Sequence, residues 1–440
     1  MTLYYIAFVL LLGSSFWNFK KTVLAWAALS ILFHDAVCLK FSSPALTIVF
    51  SANAFFFAMF FIKYKRSPVN DPFFNATVTL FFSYLISTFI PENVFSTTIL
   101  KTVQSTLNNL VIVHIIGACI NDIKDLRFTL KVQSFVIIAS LLYGIITFLT
   151  QSNPVIDFEL AQIPTTLETA KLWSYVESSR GIRVQSFFMN PFIFGVYIIS
   201  FLFLQLIIQS RFPLLIKQNK SYLLILIGLV TVGVFITKSR SVIIPYCLLS
   251  PLLLRTTLKR QIGFVALLLL CVVISIPFLD DSVLEMVSSA FDSSSKNVGG
   301  SSISMRQHQF AIVLGAFSKA PIFGNGLGYI NALKASNFEL YGAESVWMPL
   351  LANGGVVGVV LYIVFFYLLI KPKIFRGIRF EAALIVGAYL LIVTMNGDVN
   401  VGLYYTYLTV VLLYKIKLLY PKLEYGYKQP KTNFRYSSHI

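Results

Sequence analysis

FFMNPFIFGVYIISFLFLQLIIQ, residues 187–209, lies inside an uncharged stretch bounded by Arg183 and Arg211. At 1.5 Å per residue, a helix of this length reaches about 34 Å, enough to cross a hydrocarbon core of about 30 Å. Its apolar character is continuous rather than alternating, which argues for a helix and against a strand of an outer-membrane barrel. Hydrocarbon offers no partner to an unpaired backbone amide, so a helix is also the form that closes its own hydrogen bonds. Similar runs recur along the chain near 3–16, 22–39, 44–62, 73–91, 98–120, 132–150, 221–237, 241–255, 261–279, 346–370, 380–396 and 400–415. The run at 3–16 has no basic residue before it and no small-residue cleavage pattern after it, and is read as a retained span. Of the 440 residues 57% are hydrophobic and only 12% charged, about half the charged share of a soluble domain. The expectation is an all-α polytopic integral membrane protein of about 11–13 transmembrane helices, forming one transmembrane domain over residues 1–440.

The net charge of +17 raises the question of nucleic acid, and the distribution of charge answers it. Basic clusters fall between alternate spans: Lys20–Lys21, Lys63/Lys65/Arg66, Lys124/Arg127/Lys131, Arg211/Lys217/Lys220, Arg255/Lys259/Arg260 and Lys371/Lys373/Arg376/Arg379, then the tail from Lys415 to Arg435. By the positive-inside rule these mark the cytoplasmic face, with residues 416–440 a cytoplasmic tail. They hold 24 of the 35 Lys and Arg residues, so orientation accounts for most of the excess and no nucleic-acid partner is called for. The four cysteines lie in or beside apolar runs without metal-ligand spacing, and are read as packing residues.

Two segments break the rhythm on the outer face, 151–186 and 280–343. Long outer loops are where function concentrates. The second contains a flexible stretch, 292–302, followed by residues 303–319, where Phe310, Leu314 and Phe317 recur at helical spacing and predict a short interfacial helix. The informative charges are those that oppose the orientation rule. Arg180, Arg183, Lys238, Arg240 and Arg306 sit at or near outer ends of spans, where a cation needs an anionic partner. Pairing with Glu177 or nearby loop acids is the plain explanation for each alone. Three Arg-bearing segments on one face favour a shared anion pocket. The planar, permanently charged guanidinium suits phosphate, and a polyprenyl chain beside it would lie in the bilayer.

The stretch Pro321-Ile-Phe-Gly-Asn-Gly-Leu-Gly328 has the look of a nucleotide loop, but no strand precedes it and no βαβ unit can be drawn. It is read as a glycine turn that lets the chain approach the site or reverse direction. Gly354, Gly355 and Gly358 are read as a helix-packing face. Four groups could serve as acid or base near the arginines. Glu344 opens a span just before Ser345 and Trp347, although a carboxylate there also suits the helix dipole as a cap. His308, between Gln307 and Gln309, reads as a solvated helix face; Asp398 reads as a tight turn, and Glu177 as a loop acid.

Together these features resemble the bacterial O-antigen polymerase and O-antigen ligase superfamily, the Wzy and WaaL proteins. Three stretches carry the likeness: Arg180 through Asn190-Pro191, the turn Thr237-Lys-Ser-Arg-Ser241, and the run from Arg306 through the glycine stretch to Glu344-Ser-Val-Trp347 and Gly358. The resemblance covers roughly residues 175–370. It implies a C-type-like membrane glycosyltransferase with short helices in its large outer loop. Such an enzyme transfers glycan from undecaprenyl pyrophosphate at the outer face of the bacterial inner membrane, with no metal, nucleotide or other cofactor. Implied partners are the lipid-linked oligosaccharide, membrane lipid and a chain-length regulator. Glu344 and Arg306 are the catalytic candidates, with Arg180, Arg183, Lys238 and Arg240 as binding residues. Ligases of the family usually carry a His-Asn pair where this chain has Glu344-Ser345, which favours a polymerase of polysaccharide repeat units over a ligase acting on lipid A core. A flippase for the same lipid-linked units, the reading from another class, expects paired repeats and midplane charge rather than charge at outer ends.

Overall fold

A computed structural model describes residues 2–33, 38–40, 46–65, 72–89, 95–162, 176–177, 181–216, 220–253, 303–337, 340 and 345–428. Arg180, Glu344, the expected span 261–279, the cluster Arg255/Lys259/Arg260 and the stretch 292–302 lie outside the described residues. What is described is mainly helical, with connecting turns and two short antiparallel strand pairs, β1 (Cys38–Lys40) with β2 (Leu46–Thr47) and β3 (Val176–Glu177) with β4 (Gly181–Ile182).

The helices are α1 (Thr2–Leu29), α2 (Ile48–Tyr64), α3 (Phe74–Phe89), α4 (Phe95–Thr106), α5 (Ile112–Cys119), α6 (Ile123–Thr150) and α7 (Pro154–Gln162). They continue with α8 (Pro191–Arg211), α9 (Lys220–Ile236), α10 (Arg240–Leu253), α11 (Ile303–Phe317), α12 (Tyr329–Ser336), α13 (Trp347–Ile370), α14 (Arg379–Met395) and α15 (Leu403–Lys428). Thr98–Cys119, Ile123–Thr150, Pro191–Arg211 and Trp347–Ile370 are each long and apolar enough to cross a membrane, and four further helices are apolar but shorter. Pro191–Arg211, the stretch that set the fold, is the most enclosed of the four, and Asn190 caps it by accepting from the Ile193 amide at 2.9 Å.

The chain reverses inside α1. Asn18 leaves helical geometry (φ −143°, ψ 75°), the Ser14 and Thr22 hydroxyls meet at 3.0 Å, and the Tyr4 and Phe33 rings pack edge to face at 6.1 Å. Two antiparallel arms result, as the runs 3–16 and 22–39 predict. The second arm is shorter than expected, because the helix ends at Leu29 and Cys38–Lys40 is extended. The last helix is longer than expected and runs through Pro421 to Lys428, with Ile416, Leu419 and Tyr420 still buried and the Tyr420 ring 5.0 Å from that of Phe212.

Contacts sort the charges into two ends. At one end Lys20 pairs with Asp125, Arg127 Nε donates to the Leu215 carbonyl at 2.7 Å, and Lys415 Nζ donates to the Ile120 carbonyl at 3.2 Å. There too Arg211 grips Glu381 through Nε at 3.0 Å and Nη2 at 2.8 Å. This is the end the basic clusters mark as cytoplasmic. Glu381 keeps 3% of its side-chain surface exposed, so Arg211→Ala leaves a buried carboxylate without its counter-charge. Removing one partner of a fully buried pair costs about 3–5 kcal/mol; because Arg211 is about a third exposed, a loss of about 2 kcal/mol is expected from detergent-phase thermal unfolding. A loss below about 0.5 kcal/mol would remove the pair from the account of how α8 and α14 are held.

The same end carries the capping box of α6. Asp122 accepts from the Asp125 amide at 2.8 Å, and Asp125 reaches back to the Asp122 amide at 3.2 Å. The Asp125 backbone N–H, with help from Lys20, holds the Asp122 carboxyl below its ordinary range. A lowered carboxyl adds stability above its unfolded pKa and loses it as pH falls through the folded value. Asp122→Ala is therefore expected to cost about 1 kcal/mol at neutral pH, and nothing once the pH is low enough to protonate the wild-type carboxyl.

At the other end the start of α8, the start of α10 and the start of α15 meet. A Cβ on Gly195 would lie 2.5 Å from Val242, and one on Gly402 would lie 2.9 Å from Val196. Residues 183–190, irregular in backbone, tuck in beside them. The Ser186 hydroxyl donates to the Ser140 carbonyl at 2.7 Å, its own carbonyl accepts from Asn153 Nδ2 at 2.9 Å, and the Val184 amide donates to the Ile236 carbonyl at 3.1 Å. Non-helical backbone at this depth is tolerated because its polar groups are met by protein.

Candidate functional site

The glycine stretch 321–328 repairs a broken helix. Inside α13, Gly355 takes φ 59° and ψ −155°, which ends the first arm of the helix and frees its carbonyls and amides. The Asn325 and Gly326 amides donate to the Ala352 and Asn353 carbonyls at 2.9 Å each; the Val356 and Val357 amides donate to the Pro321 and Ile322 carbonyls at 2.9 and 3.0 Å. The approach leaves no room for side chains, since a Cβ on Gly324 would fall 2.4 Å from the Asn353 carbonyl and one on Gly355 2.6 Å from the Gly324 amide nitrogen. The reading of this stretch as a close-approach turn holds. Gly355, expected on a packing face, instead makes the break. Gly354 and Gly358 do lie against Ser87 and Ser83 of α3.

This break detaches a short outer arm, residues 347–353, from the rest of α13. Its start is tied to α14 by the Val346 amide, which donates to the Val393 carbonyl at 2.9 Å, and by Trp347 Nε1, which donates to Thr394 Oγ1 at 3.1 Å. Its end caps α12, whose Ile330 amide donates to Asn353 Oδ1 at 2.9 Å.

An open groove of about 490 Å³ lies on one side of this arm, between α11 and the end of α14. Arg306 and Gln307 border it, Phe310, Leu314 and Met348 line it, and Ser345 and Thr394 complete it. The helix predicted over 303–319 is present as α11, although the face it packs inward carries Gln309, Val313 and Ala316, leaving Phe310 and Leu314 exposed. His308 and Gln307 are exposed, as a solvated face requires, whereas Gln309 is fully buried. The groove therefore joins a cationic head to an apolar floor.

The remaining cations divide by position. The hydrogen bond from Val184 to Ile236 sets Arg183 beside the turn that holds Lys238 and Arg240. Arg183 stacks its guanidinium 5.1 Å over the Phe192 ring, Lys238 is buried with a left-handed φ of 48°, and Arg240 is the first residue of α10. This turn stands at the same end as the groove, because α10 packs along α14 and its start is level with the start of α15, just past the end of α14. Arg183, Lys238, Arg240 and Arg306 thus lie toward one end, Arg183 on the segment beside the Lys238–Arg240 turn and Arg306 at the groove. Glu177 is described in its backbone alone, paired with Gly181. Asp398 forms the expected turn, accepting from the Val399 amide at 2.6 Å.

On the opposite side of the outer arm is a second cavity, of about 990 Å³, bordered by Pro349, Leu350 and Asn353. The sequence reading missed it. Its walls include Gln104, Ser105, Asn108 and Asn109, whose spacing inside the apolar run 98–120 puts four uncharged polar groups on one helix face, and that stripe was the available signal.

A family model described as O-antigen ligase matches residues 223–363, which take in the Lys238–Arg240 turn, Arg306, the glycine stretch and the break in α13. No curated protein matches the chain.

Proposed function

We propose, on the match of residues 223–363 to the family model described as O-antigen ligase, that the chain is a membrane glycosyltransferase that polymerises polysaccharide repeat units at the outer face of the bacterial inner membrane. The donor is a glycan on undecaprenyl pyrophosphate and the acceptor is the next lipid-linked unit. The observation that carries this reading is the groove that sets Arg306 over Phe310, Leu314 and Met348, a cation where a pyrophosphate would sit and an apolar floor where its prenyl chain would run.

In the transfer, the acceptor hydroxyl oxygen bonds to the anomeric carbon as the bond from that carbon to the pyrophosphate oxygen breaks. The electron pair leaves with undecaprenyl pyrophosphate, and the hydroxyl proton passes to a carboxylate, for which Glu344, next in sequence to the groove residue Ser345, is the candidate. Fixed guanidinium charge from Arg306 stabilises the departing pyrophosphate, Arg183, Lys238 and Arg240 extend the field at the same end, and Arg180 is assigned to binding from its place in the sequence alone. None of these steps draws on a metal ion.

A ligase reading has one observation in its favour, the description of the matching family. Glu344-Ser345 in place of a His-Asn pair favours the polymerase. Purified protein given lipid-linked repeat units alone should build a ladder of longer lipid-linked chains. Glycan appearing only on added lipid A core would establish the ligase, and no product with either acceptor would overturn both.

A further inference from the structure

The cavity behind the outer arm of α13 differs in chemistry from the Arg306 groove. Its walls set carboxamides, hydroxyls and aromatic rings among aliphatic side chains such as Ile31, Ile193, Leu327 and Leu350. On one wall Trp26 Nε1 donates to Asn53 Oδ1 at 2.8 Å and Asn53 Nδ2 donates to Asn108 Oδ1 at 2.9 Å; on another, Tyr84 Oη donates to Asn400 Oδ1 at 2.5 Å and Asn400 Nδ2 donates to Ser105 Oγ at 3.4 Å. These bonds fix the amides in place while Phe187, Phe188, Tyr404 and Tyr405 supply ring faces.

The backbone is also adapted to this space. Between α4 and α5 the chain forms a π-helical turn, Leu107–Val111, and the residues it carries include Asn108 and Asn109, both of which line the cavity. Such a turn interrupts the regular ladder to re-aim side chains, and it recurs at functional sites. Polar groups that line a cavity in a membrane protein need hydrogen-bonding partners, which water or a hydroxyl-bearing ligand supplies.

The lining selects among ligands. Lys101 is the one cation of the lining and shares it with the Asp398 carboxylate, which is a poor match for pyrophosphate. A prenyl chain would leave the second N–H and second lone pair of these amides facing hydrocarbon. A neutral ligand dense in hydroxyls matches both donors and acceptors of the amides, and aromatic faces suit the C–H faces of pyranose rings. The volume of about 990 Å³ lies at the upper end of the ~300–1,000 Å³ usual for small-molecule sites, which is room for more than one sugar ring.

We propose that this cavity is a saccharide subsite holding neutral sugar rings of the glycan, separated from the Arg306 groove by the outer arm of α13. The proposal rests on the glycan-transfer reading for its ligand, and the arrangement places sugars and pyrophosphate on opposite sides of residues 347–353.

The test uses the full-length purified protein and, as probe, the free oligosaccharide released by mild acid from the host cell's own lipid-linked precursors. Wild type should bind it saturably. Asn108→Leu should weaken binding tenfold or more, and so should Lys101→Ala combined with Asn331→Ala, two exposed residues at the cavity edge whose replacement leaves the core intact. Arg306→Ala should bind the oligosaccharide as wild type does. Absence of binding to wild type, or wild-type affinity in both cavity variants, overturns the subsite. Sugar-free undecaprenyl pyrophosphate is titrated in parallel: if it fails to bind wild type while the oligosaccharide binds, the donor reading falls and the subsite stands. Oligosaccharide binding that survives saturation with the intact lipid-linked precursor assigns the cavity to the acceptor glycan, and displacement assigns it to the donor's own sugars.

Discussion

Arg306→Ala is expected to lower glycan transfer about a hundredfold or more with the fold unchanged. Arg306 is half-buried, on a helix whose packing face is made by Gln309, Val313 and Ala316, so truncating it should shift stability by no more than about 1 kcal/mol. The loss in rate has a different origin. Removing one preorganised donor from a developing anion costs on the order of 10²–10³ in turnover, and among the described residues of the groove Arg306 alone carries a charge. Arg306→Lys should recover part of the rate, since it keeps the charge and gives up the two-pronged geometry. The check is initial rate of chain elongation at equal protein, alongside the thermal midpoint of each variant. Equal rates for wild type and Arg306→Ala would remove Arg306 from the mechanism.

Gly355→Val is expected to have the largest effect on the scaffold. The φ of 59° with ψ of −155° is a combination that side chains rarely adopt, costing on the order of 1–3 kcal/mol, and the new Cβ would meet the Gly324 amide nitrogen and the Ile322 carbonyl, each at 2.6 Å. Both the strain and the collision act on the junction between the glycine stretch and the broken helix. The outer arm of α13 is the wall between groove and cavity, so transfer should be lost along with stability. Gly324→Ala should behave alike, through its φ of 73° and its 2.4 Å approach to Asn353. Gly228→Ala in α9 is the control: nothing lies within 4 Å of its added methyl, and the variant should be as stable as wild type or slightly more so. Comparable losses in Gly228→Ala and Gly355→Val would refute the account of the break.

The elements that hydropathy and charge govern were legible in advance. Pro191–Arg211 could be read from its own apolar run, and the pairing of Lys20, Arg127, Arg211 and Lys415 with partners at one end follows from where cations concentrate. The helix at Ile303–Phe317 was visible in its 3.6-residue spacing, but which face turned inward was not. In a membrane-edge helix apolar side chains are equally at home against lipid, so Phe310 and Leu314 could remain exposed while Gln309 was buried. The break in α13 was hidden for a related reason. Glycine packs helices and also breaks them, and only the partner segment 321–328, supplying carbonyls and amides to the freed backbone, decides between the two. The polar cavity was missed because its amides are contributed by α2, the π-helical turn after α4, and the turn before α15, which come together only in the folded chain.

If the outer-end arginines hold a polyprenyl pyrophosphate, sugar-free undecaprenyl pyrophosphate should bind directly to the purified protein. Wild type should bind it saturably and at least tenfold more tightly than undecaprenol, with Arg306→Ala and Arg240→Ala each weakening it tenfold or more. Equal binding of pyrophosphate and alcohol, or undiminished binding in both variants, would contradict the account.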